Sequence, residues 1–419
     1  MSAILSAPVR AAATTFCSIF LLWGAGAHAD APTDELALVR GFIDSPGFRA
    51  EVEANAHATA AAGTGPALFE NPELQGRHED AKGPAGSTTD AIGAALTVDL
   101  GFATTGHRKA AALRGQAGAY RERAAAIERV CGFRGEVLDL WAAQEGALVS
   151  MQAHDRLEDL SEQTTALAEA GDVPGYDRDR ASLVLVTHWR ELSSALALWE
   201  SQKTRVEALS DTPATYVELA PTVDAGPLPA LLEAALQSPE LVALRLESEA
   251  AEQELAATRR ETIPDLEVYG GARWDDQVQG TGATRGYEVG AALELPIFDV
   301  GGAQRAEASA LLASAQALLT RRERELLAQV EAAWGVARSL DVDLPVLAPD
   351  TLWSAATERY FANEGGIGAL VDLADDLESA ELSAVRHATS LRRAHLDLSC
   401  SVGAFTEPTL QSALEDSLR

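Results

Sequence analysis

The side chains best suited to chemistry in this 419-residue chain are carboxylates that cluster near residue 372. Asp372 and Asp375 are three residues apart, a spacing that places both on one face of a helix, and Asp376 follows directly. Carboxylates in this arrangement attract cations. The same residues also suit the first turn of a helix, where the helix dipole stabilises negative charge. The pattern alone leaves both interpretations open.

Motifs for bond-making chemistry are absent from the sequence. Eight histidines occur, and His387 and His395 share a predicted helix without the carboxylates and cysteines of a metal centre. No HExxH motif, GxSxG nucleophile elbow or phosphate-binding loop is present. We therefore predict no enzyme activity, no cofactor and no metal site.

The charge balance and the cysteines limit which partners and which cysteine chemistry are expected. The 63 acidic residues exceed the 33 basic ones, which gives a formal charge of -30. This excess argues against nucleic acid as a partner, because phosphate binding requires a basic face, and it suits cations. Cys131 and Cys400 could pair in an oxidising compartment, but we expect two unpaired cysteines within helix cores.

The N-terminus has the pattern of an export signal. Arg10 precedes the apolar stretch Phe16–Trp23, and Ala27-His28-Ala29 supplies a cleavage site, so we predict a signal peptide over 1–29. A buried N-terminal helix is the alternative. Phe16 is too large for the position before a lipoprotein cysteine, so we expect Cys17 not to be lipidated. No later stretch reaches the ~18 apolar residues of a membrane-spanning helix.

An internal repeat accounts for the length of the chain. Four landmarks recur at offsets of 192 to 197 residues: Ser45-Pro46 with Ser238-Pro239, Asn71–Leu74 with Ile263–Leu266, Ile92–Leu96 with Val289–Leu293, and Glu169–Val173 with Asn363–Ile367. We predict a first copy over 30–211, a linker over 212–229, a second copy over 230–401 and a C-terminal tail over 402–419.

Each copy is predicted to contain two strands, a long helix and a returning helix. In the first copy these elements are expected at about 73–80, 91–100, 106–170 and 174–210. In the second copy they are expected at about 264–275, 286–298, 301–364 and 368–400. Pro345 and Pro349 interrupt the second long helix, so we expect a kink there.

The strands and helices differ in their apolar period. Tyr287, Val289 and Leu293 alternate with polar or small residues, which fits a transmembrane barrel strand but also a soluble half-buried sheet. Leu113, Tyr120 and Ile127 recur every seven residues, as in a coiled coil. Four strands cannot close a membrane barrel, which needs about eight, so one chain cannot form the pore by itself. Three chains would supply twelve strands.

These segments resemble the TolC-type outer-membrane factor family over roughly residues 34–400. The matching segments are Asn71–Leu74, Ile263–Leu266, Leu293–Asp299 running into Gly301-Gly302, Ala170–Val173, and Tyr360–Leu377. The segment Leu100–Lys109 is similar to the Leu-Gly-Gly-Lys-Arg segment of the heavy-metal efflux branch, although Phe102–Thr105 departs from it. The fold class implied is mainly α with a membrane β-barrel portion: a homotrimer with a twelve-stranded barrel and an α-helical periplasmic tunnel.

The resemblance also implies a function, a location and partners. It predicts the exit duct of a tripartite efflux or type I secretion system, which passes small molecules or metal cations passively. The protein would lie in the outer-membrane lipid of a Gram-negative-type cell with a large periplasmic portion, docked to a periplasmic adaptor and an inner-membrane pump. A soluble periplasmic coiled-coil adaptor or structural protein is the alternative.

Candidate site residues fall into two groups. The resemblance implies that Asp372, Asp375 and Asp376 form rings of charge at the periplasmic aperture. Tyr176 and its acidic neighbours in the first hairpin, Asp172 and Asp177, are candidate partners of this gate. Strand alternation places a second group in the barrel lumen, although a solvated strand face explains them as well: Asp99, Glu288 and Glu294.

Overall fold

The computed structural model describes residues 32–65, 73–81, 87–221, 226–277, 284–293, 301–342, 348–362, 365–403 and 408–418. The predicted signal peptide lies outside these residues. Most of the described chain is helical: α1 (Glu35–Asp44), α2 (Pro46–Ala62), α3 (Ala103–Ala170), α4 (Gly175–Ser210), α5 (Leu228–Leu236), α6 (Pro239–Arg260), α7 (Gly302–Leu340), α8 (Pro349–Phe361), α9 (Ile367–Val402) and α10 (Pro408–Ser417). No helix in these ranges combines the length and the apolar character needed to cross a membrane.

The strands form two sheets in the described residues. A four-stranded antiparallel sheet has the order β2 (Glu73–Ala81), β3 (Ser87–Val98), β5 (Leu266–Gln277) and β6 (Thr284–Leu293). Its central pair, β3 and β5, runs from Ser87↔Gln277 to Val98↔Leu266, so the two copies of the repeat join within one sheet. A short parallel pair of β1 (Thr33–Asp34) and β4 (Val217–Glu218), which the sequence did not predict, forms the second sheet.

The chain divides into two compact units that do not coincide with the two sequence copies. One unit comprises residues 1–45, 132–223 and 339–396, and the other comprises 46–131, 224–338 and 397–419. Each unit therefore takes segments from both copies. The two copies of the repeat have the same order of elements along the chain, but they are not two separate domains.

Helix α3 is 68 residues long, or ~100 Å at 1.5 Å per residue. Its start is capped by the Asp99 carboxylate, which accepts a hydrogen bond from the Thr104 backbone N–H at 2.6 Å. Its end is set by Gly171, whose positive φ of 84° is a left-handed conformation that glycine adopts at low cost. Pro174 then precedes α4 and fixes the hairpin turn.

A polar residue that interrupts the heptad pattern of α3 has a specific partner. Val130 and Val137 are fully buried in this register, and Gln144, seven residues further along, is fully buried too. The Gln144 side chain accepts a hydrogen bond from the Val217 N–H at 2.7 Å and donates one to the Val217 carbonyl at 3.1 Å. Gln144, which interrupts the apolar pattern, thus attaches β4 to α3 through two hydrogen bonds.

The second long helix differs from its prediction. A helix over 301–364 was expected, and the structure has α7, which ends at Leu340, and α8, which begins at Pro349. Pro349 occupies the first turn of α8, where the missing N–H costs nothing. Pro345 lies outside the described residues. The predicted kink is therefore a division into two helices.

The expectation of two unpaired cysteines was wrong. Cys131 of α3 and Cys400 of α9 form a disulfide, with Cα atoms 6.1 Å apart. Both cysteines belong to the same compact unit. Periodicity indicated that each lies on a helix, but it could not indicate which helices are neighbours.

Candidate functional site

The carboxylates near residue 372 lie on the exposed side of α9. Ile367, Leu370 and Val371 at the start of this helix are buried in a cluster with Leu160 and Tyr360. Because these apolar residues occupy the inner face, the intervening acids point outward. All three predicted aperture residues are exposed: Asp372, Asp375 and Asp376.

The first hairpin contributes a hydrogen bond to this region. Asp172 and Tyr176 are exposed, and Tyr176 retains 67% of its accessible surface. Asp177 is half-buried and accepts a hydrogen bond at 3.0 Å from the hydroxyl of Tyr360. Burial and the Asp177 carboxylate raise the pKa of Tyr360 to about 12, so the hydroxyl remains a donor at neutral pH. The structure thus links Asp177 to the second copy of the repeat.

A buried polar cluster that sequence reasoning missed lies one turn beyond Asp375. Glu378 of α9 bonds His188 Nε2 of α4 at 2.7 Å and accepts from the Ser150 hydroxyl of α3 at 2.9 Å. His188 and Ser150 are 3% and 5% exposed. The signal in the sequence was faint: Glu378 continues the spacing of three from Asp372 and Asp375.

Electrostatics couple this cluster to the predicted aperture. The hydrogen bond between His188 and the Glu378 carboxylate, which stabilises the charged imidazole, is the main cause that raises the pKa of His188 above its ordinary value. Burial acts to raise the pKa of Glu378, but His188 and Ser150 outweigh it and hold that pKa below its ordinary value. Although the Asp375 side chain is exposed, partial desolvation of its carboxyl group and the neighbouring carboxylates raise its pKa and outweigh the opposite effect of His188.

The cluster lines a groove of about 1130 Å³ between α3, α4 and α9. Apolar side chains such as Leu183, Leu198 and Val385 form much of its wall, while Glu191 and Asp375 add charge. The same neighbourhood contains His154, whose ring lies 6.4 Å from that of His188. Burial lowers the pKa of His154, so it is neutral at pH 7.

The four-stranded sheet separates polar from apolar side chains. Register places Tyr287, Ala272 and Ile92 in one row and Val289, Gly270 and Ala94 in the next, on one face. Over most of its length this face is apolar yet exposed, and it includes the following side chains: Leu74, Ile92, Leu96, Val268, Trp274, Tyr287, Val289 and Leu293. At the end of the sheet near the Ser87–Gln277 pair the same face also carries charged side chains, because Asp90, His78 and Arg285 lie in the row of Trp274.

The opposite face of the sheet is polar. Arg273 and Asp275 form an ion pair at 2.9 Å, and the Thr89 hydroxyl donates to the same Asp275 carboxylate at 2.6 Å. Glu288 is half-buried on this face, opposite Gly271. Alternation therefore places this predicted lumen residue on the polar side of the sheet.

The other two lumen candidates have different positions. Asp99 lies just beyond β3 and caps α3, as described above. Burial acts to raise the pKa of Asp99, but hydrogen bonds from the backbone N–H groups of Thr104, Ala103 and Gly101 prevail and lower it. The carboxylate thus has a structural role, and its lumen role stays a prediction. Glu294 lies outside the described residues.

The described residues thus combine long helical hairpins with a four-stranded sheet that exposes apolar side chains on one face. Residues 230–340 match the family model described as outer membrane efflux protein. A comparison with curated protein sequences gives no match.

Solved structures share the fold across most of the chain. A membrane protein from Pseudomonas aeruginosa is 17% identical with a TM-score of 0.70, covering 88% of this chain and 90% of that one. The CmeC outer membrane channel of Campylobacter jejuni is 14% identical with a TM-score of 0.68, covering 91% and 89%. VceC of Vibrio cholerae is 15% identical with a TM-score of 0.68, covering 88% and 96%.

The resemblance to the TolC-type outer-membrane factor family is thus confirmed by a family-model match and by the fold. The predicted fold class, long helical hairpins with a four-stranded sheet in a mainly helical chain, is confirmed as well. Assignment to the heavy-metal branch stays a prediction.

Proposed function

We propose that three copies of this chain form an exit duct in the outer membrane, through which small molecules or metal cations leave the cell passively. The exposed apolar face of the four-stranded sheet carries this proposal. Burying side chains such as Tyr287 and Val289 in lipid gains ~25 cal/mol per Å² of apolar surface, and the polar face would then line a lumen.

The edges of the sheet support the trimer. Strands β2 and β6 are the edge strands of the described sheet, and an unpaired strand edge in lipid costs several kcal/mol for each unsatisfied backbone group. Pairing β6 of one copy with β2 of the next satisfies both edges. Three copies of four strands close a twelve-stranded barrel.

Exposed apolar side chains on the helices also support association between copies. On α4, Leu183 and Val186 retain 67% and 66% of their accessible surface, and Leu311 and Val336 on α7 retain 58% and 50%. In a trimer these faces become contacts between long helices, which is the packing that a seven-residue apolar spacing favours. The resulting tunnel would dock to a periplasmic adaptor and an inner-membrane pump.

The exposed carboxylates of α9 form the aperture in this proposal. Three copies of Asp372, Asp375 and Asp376 would place rings of negative charge around the passage, and such rings attract cations and resist anions. The formal charge of -30 acts in the same direction. The first hairpin, with Asp172, Tyr176 and Asp177, would complete the gate.

Single-channel recording in planar bilayers tests the proposal. The wild-type protein should conduct and should prefer potassium over chloride, and Asp372→Asn with Asp375→Asn should lower that preference several-fold. The matched control, Glu249→Gln with Glu331→Gln, removes two exposed charges from other helices and should leave the preference unchanged.

The possible results separate the two parts of the proposal. Conductance with the same selectivity in the double aspartate variant would remove these residues from the aperture. Failure of the wild-type protein to conduct would contradict the duct itself and favour a soluble periplasmic adaptor.

A further inference from the structure

The buried histidine cluster offers the donor set of a metal site. His188 and Glu191 are three residues apart on α4, and Glu378 approaches them from α9. One ligand atom from each of these three side chains lies within 4.8 Å of the other two. A nitrogen and two carboxylate oxygens in this arrangement are ligands that divalent transition metals use in proteins.

The hydrogen bonds of the cluster leave one buried nitrogen of His188 without a partner among the described residues. Buried polar atoms normally have a hydrogen-bond partner because an unpaired one costs free energy. His188 is 97% buried, and although its Nε2 contacts Glu378, its Nδ1 has no partner among the described residues. Among side chains, the buried imidazole is therefore held by the Glu378 carboxylate through Nε2.

Access and charge suit an ion. Glu191 is exposed, and it lines the groove together with His188 and Glu378, so an ion can reach the buried ligands from solvent. Two carboxylates balance a charge of +2. Two further charged side chains line the groove, Asp375 and Arg386. Other titratable side chains lie near the cluster: His154, Asp155, Glu158, Asp372 and Asp376.

We propose that His188, Glu191 and Glu378 bind one divalent transition-metal ion, with Zn²⁺ as the best match, and that the ion joins α4 to α9. The ligand atoms of a tetrahedral zinc site lie about 3.4 Å apart, because each is about 2.1 Å from the metal. The 2.7 Å contact between His188 and Glu378 would widen to this distance, and the exposed Glu191 side chain would move in to complete the set. Water would complete the coordination.

Metal binding would change the contact between His188 and Glu378. In the metal-free cluster, His188 Nε2 lies 2.7 Å from a carboxylate oxygen of Glu378. The metal would take the electron pair of the imidazole nitrogen in place of this contact. This inference does not depend on the proposed duct.

Calorimetry on the full-length protein tests the site. The detergent-solubilised protein is freed of metal with a chelator and titrated with zinc chloride. We expect one ion bound per chain. Glu191→Gln should weaken binding about 100-fold without disturbing the buried pair, and His188→Ala should do the same.

A matched control separates this site from general surface binding. His57 pairs with Glu53 at 3.8 Å on an exposed helix face, so His57→Ala removes an accessible imidazole elsewhere. Zinc should raise the thermal unfolding midpoint of the wild type and of His57→Ala but not that of Glu191→Gln. Equal affinity in Glu191→Gln and the wild type, or loss of binding in His57→Ala, would overturn the proposal, even if His188→Ala failed to fold.

Discussion

The Cys131–Cys400 disulfide should make a large contribution to stability because it joins residues 269 positions apart. A cross-link lowers the entropy of the unfolded chain, and the effect grows with the logarithm of the loop length. The chain-entropy relation gives about 5–6 kcal/mol for this loop, whereas removal of a native disulfide from a small secreted domain costs about 2–5 kcal/mol. We expect Cys131→Ser, Cys400→Ser or both together to cost about 2–5 kcal/mol.

The assay compares chemical denaturation of the detergent-solubilised protein with and without a reductant. The two single variants and the double variant should unfold at the same lower midpoint, because the bond requires both sulfur atoms. Reductant should lower the wild-type midpoint to that value and should leave the double variant unchanged. Equal midpoints for the oxidised wild type and the double variant would refute the link between the bond and stability.

Two further predictions address the buried cluster and the sheet. The raised pKa of His188 stabilises the folded protein below about pH 6.5, and this contribution is lost as pH rises through the pKa of His188 in the folded state. The lowered pKa of Glu378 stabilises the folded protein above about pH 4.5, and this contribution is lost as pH falls below that value. Glu378→Gln should therefore lower the thermal midpoint most between about pH 4.5 and 6.5, and a deficit that is independent of pH would contradict this. A Cβ on Gly271 would lie 2.5 Å from the carbonyl oxygen of Ile92, so Gly271→Val should disrupt the sheet and reduce the amount of assembled protein. Gly286→Val is the control, because nothing lies within 4 Å of a Cβ at that position. Equal assembly of the two variants would contradict the strand register.

The order of elements could be predicted from the sequence because it depends on local periodicity. A period of two marked the strands, and a proline-free stretch with seven-residue apolar spacing marked α3, which the structure begins at Ala103 and ends at Ala170. The position of Asp372 and Asp375 on one face of a helix also followed from their spacing. These features require only residues that are close in sequence.

The contacts between distant segments could not be predicted in this way. The disulfide joins helices from different copies of the repeat, and the His188–Glu378 pair joins residues 190 positions apart. Gln144 interrupts an apolar seven-residue repeat, and its hydrogen-bond partner, the Val217 backbone, is distant in the sequence. In each case the chemistry depends on which helices are neighbours, and periodicity does not contain that information.

The most direct test of the duct is the mass and location of the mature protein. Envelope fractionation gives the location, and light scattering of the detergent-extracted particle gives the protein mass. The account predicts three chain masses in the outer-membrane fraction, because three chains of four strands would form the proposed twelve-stranded barrel. A soluble periplasmic monomer or dimer would contradict it.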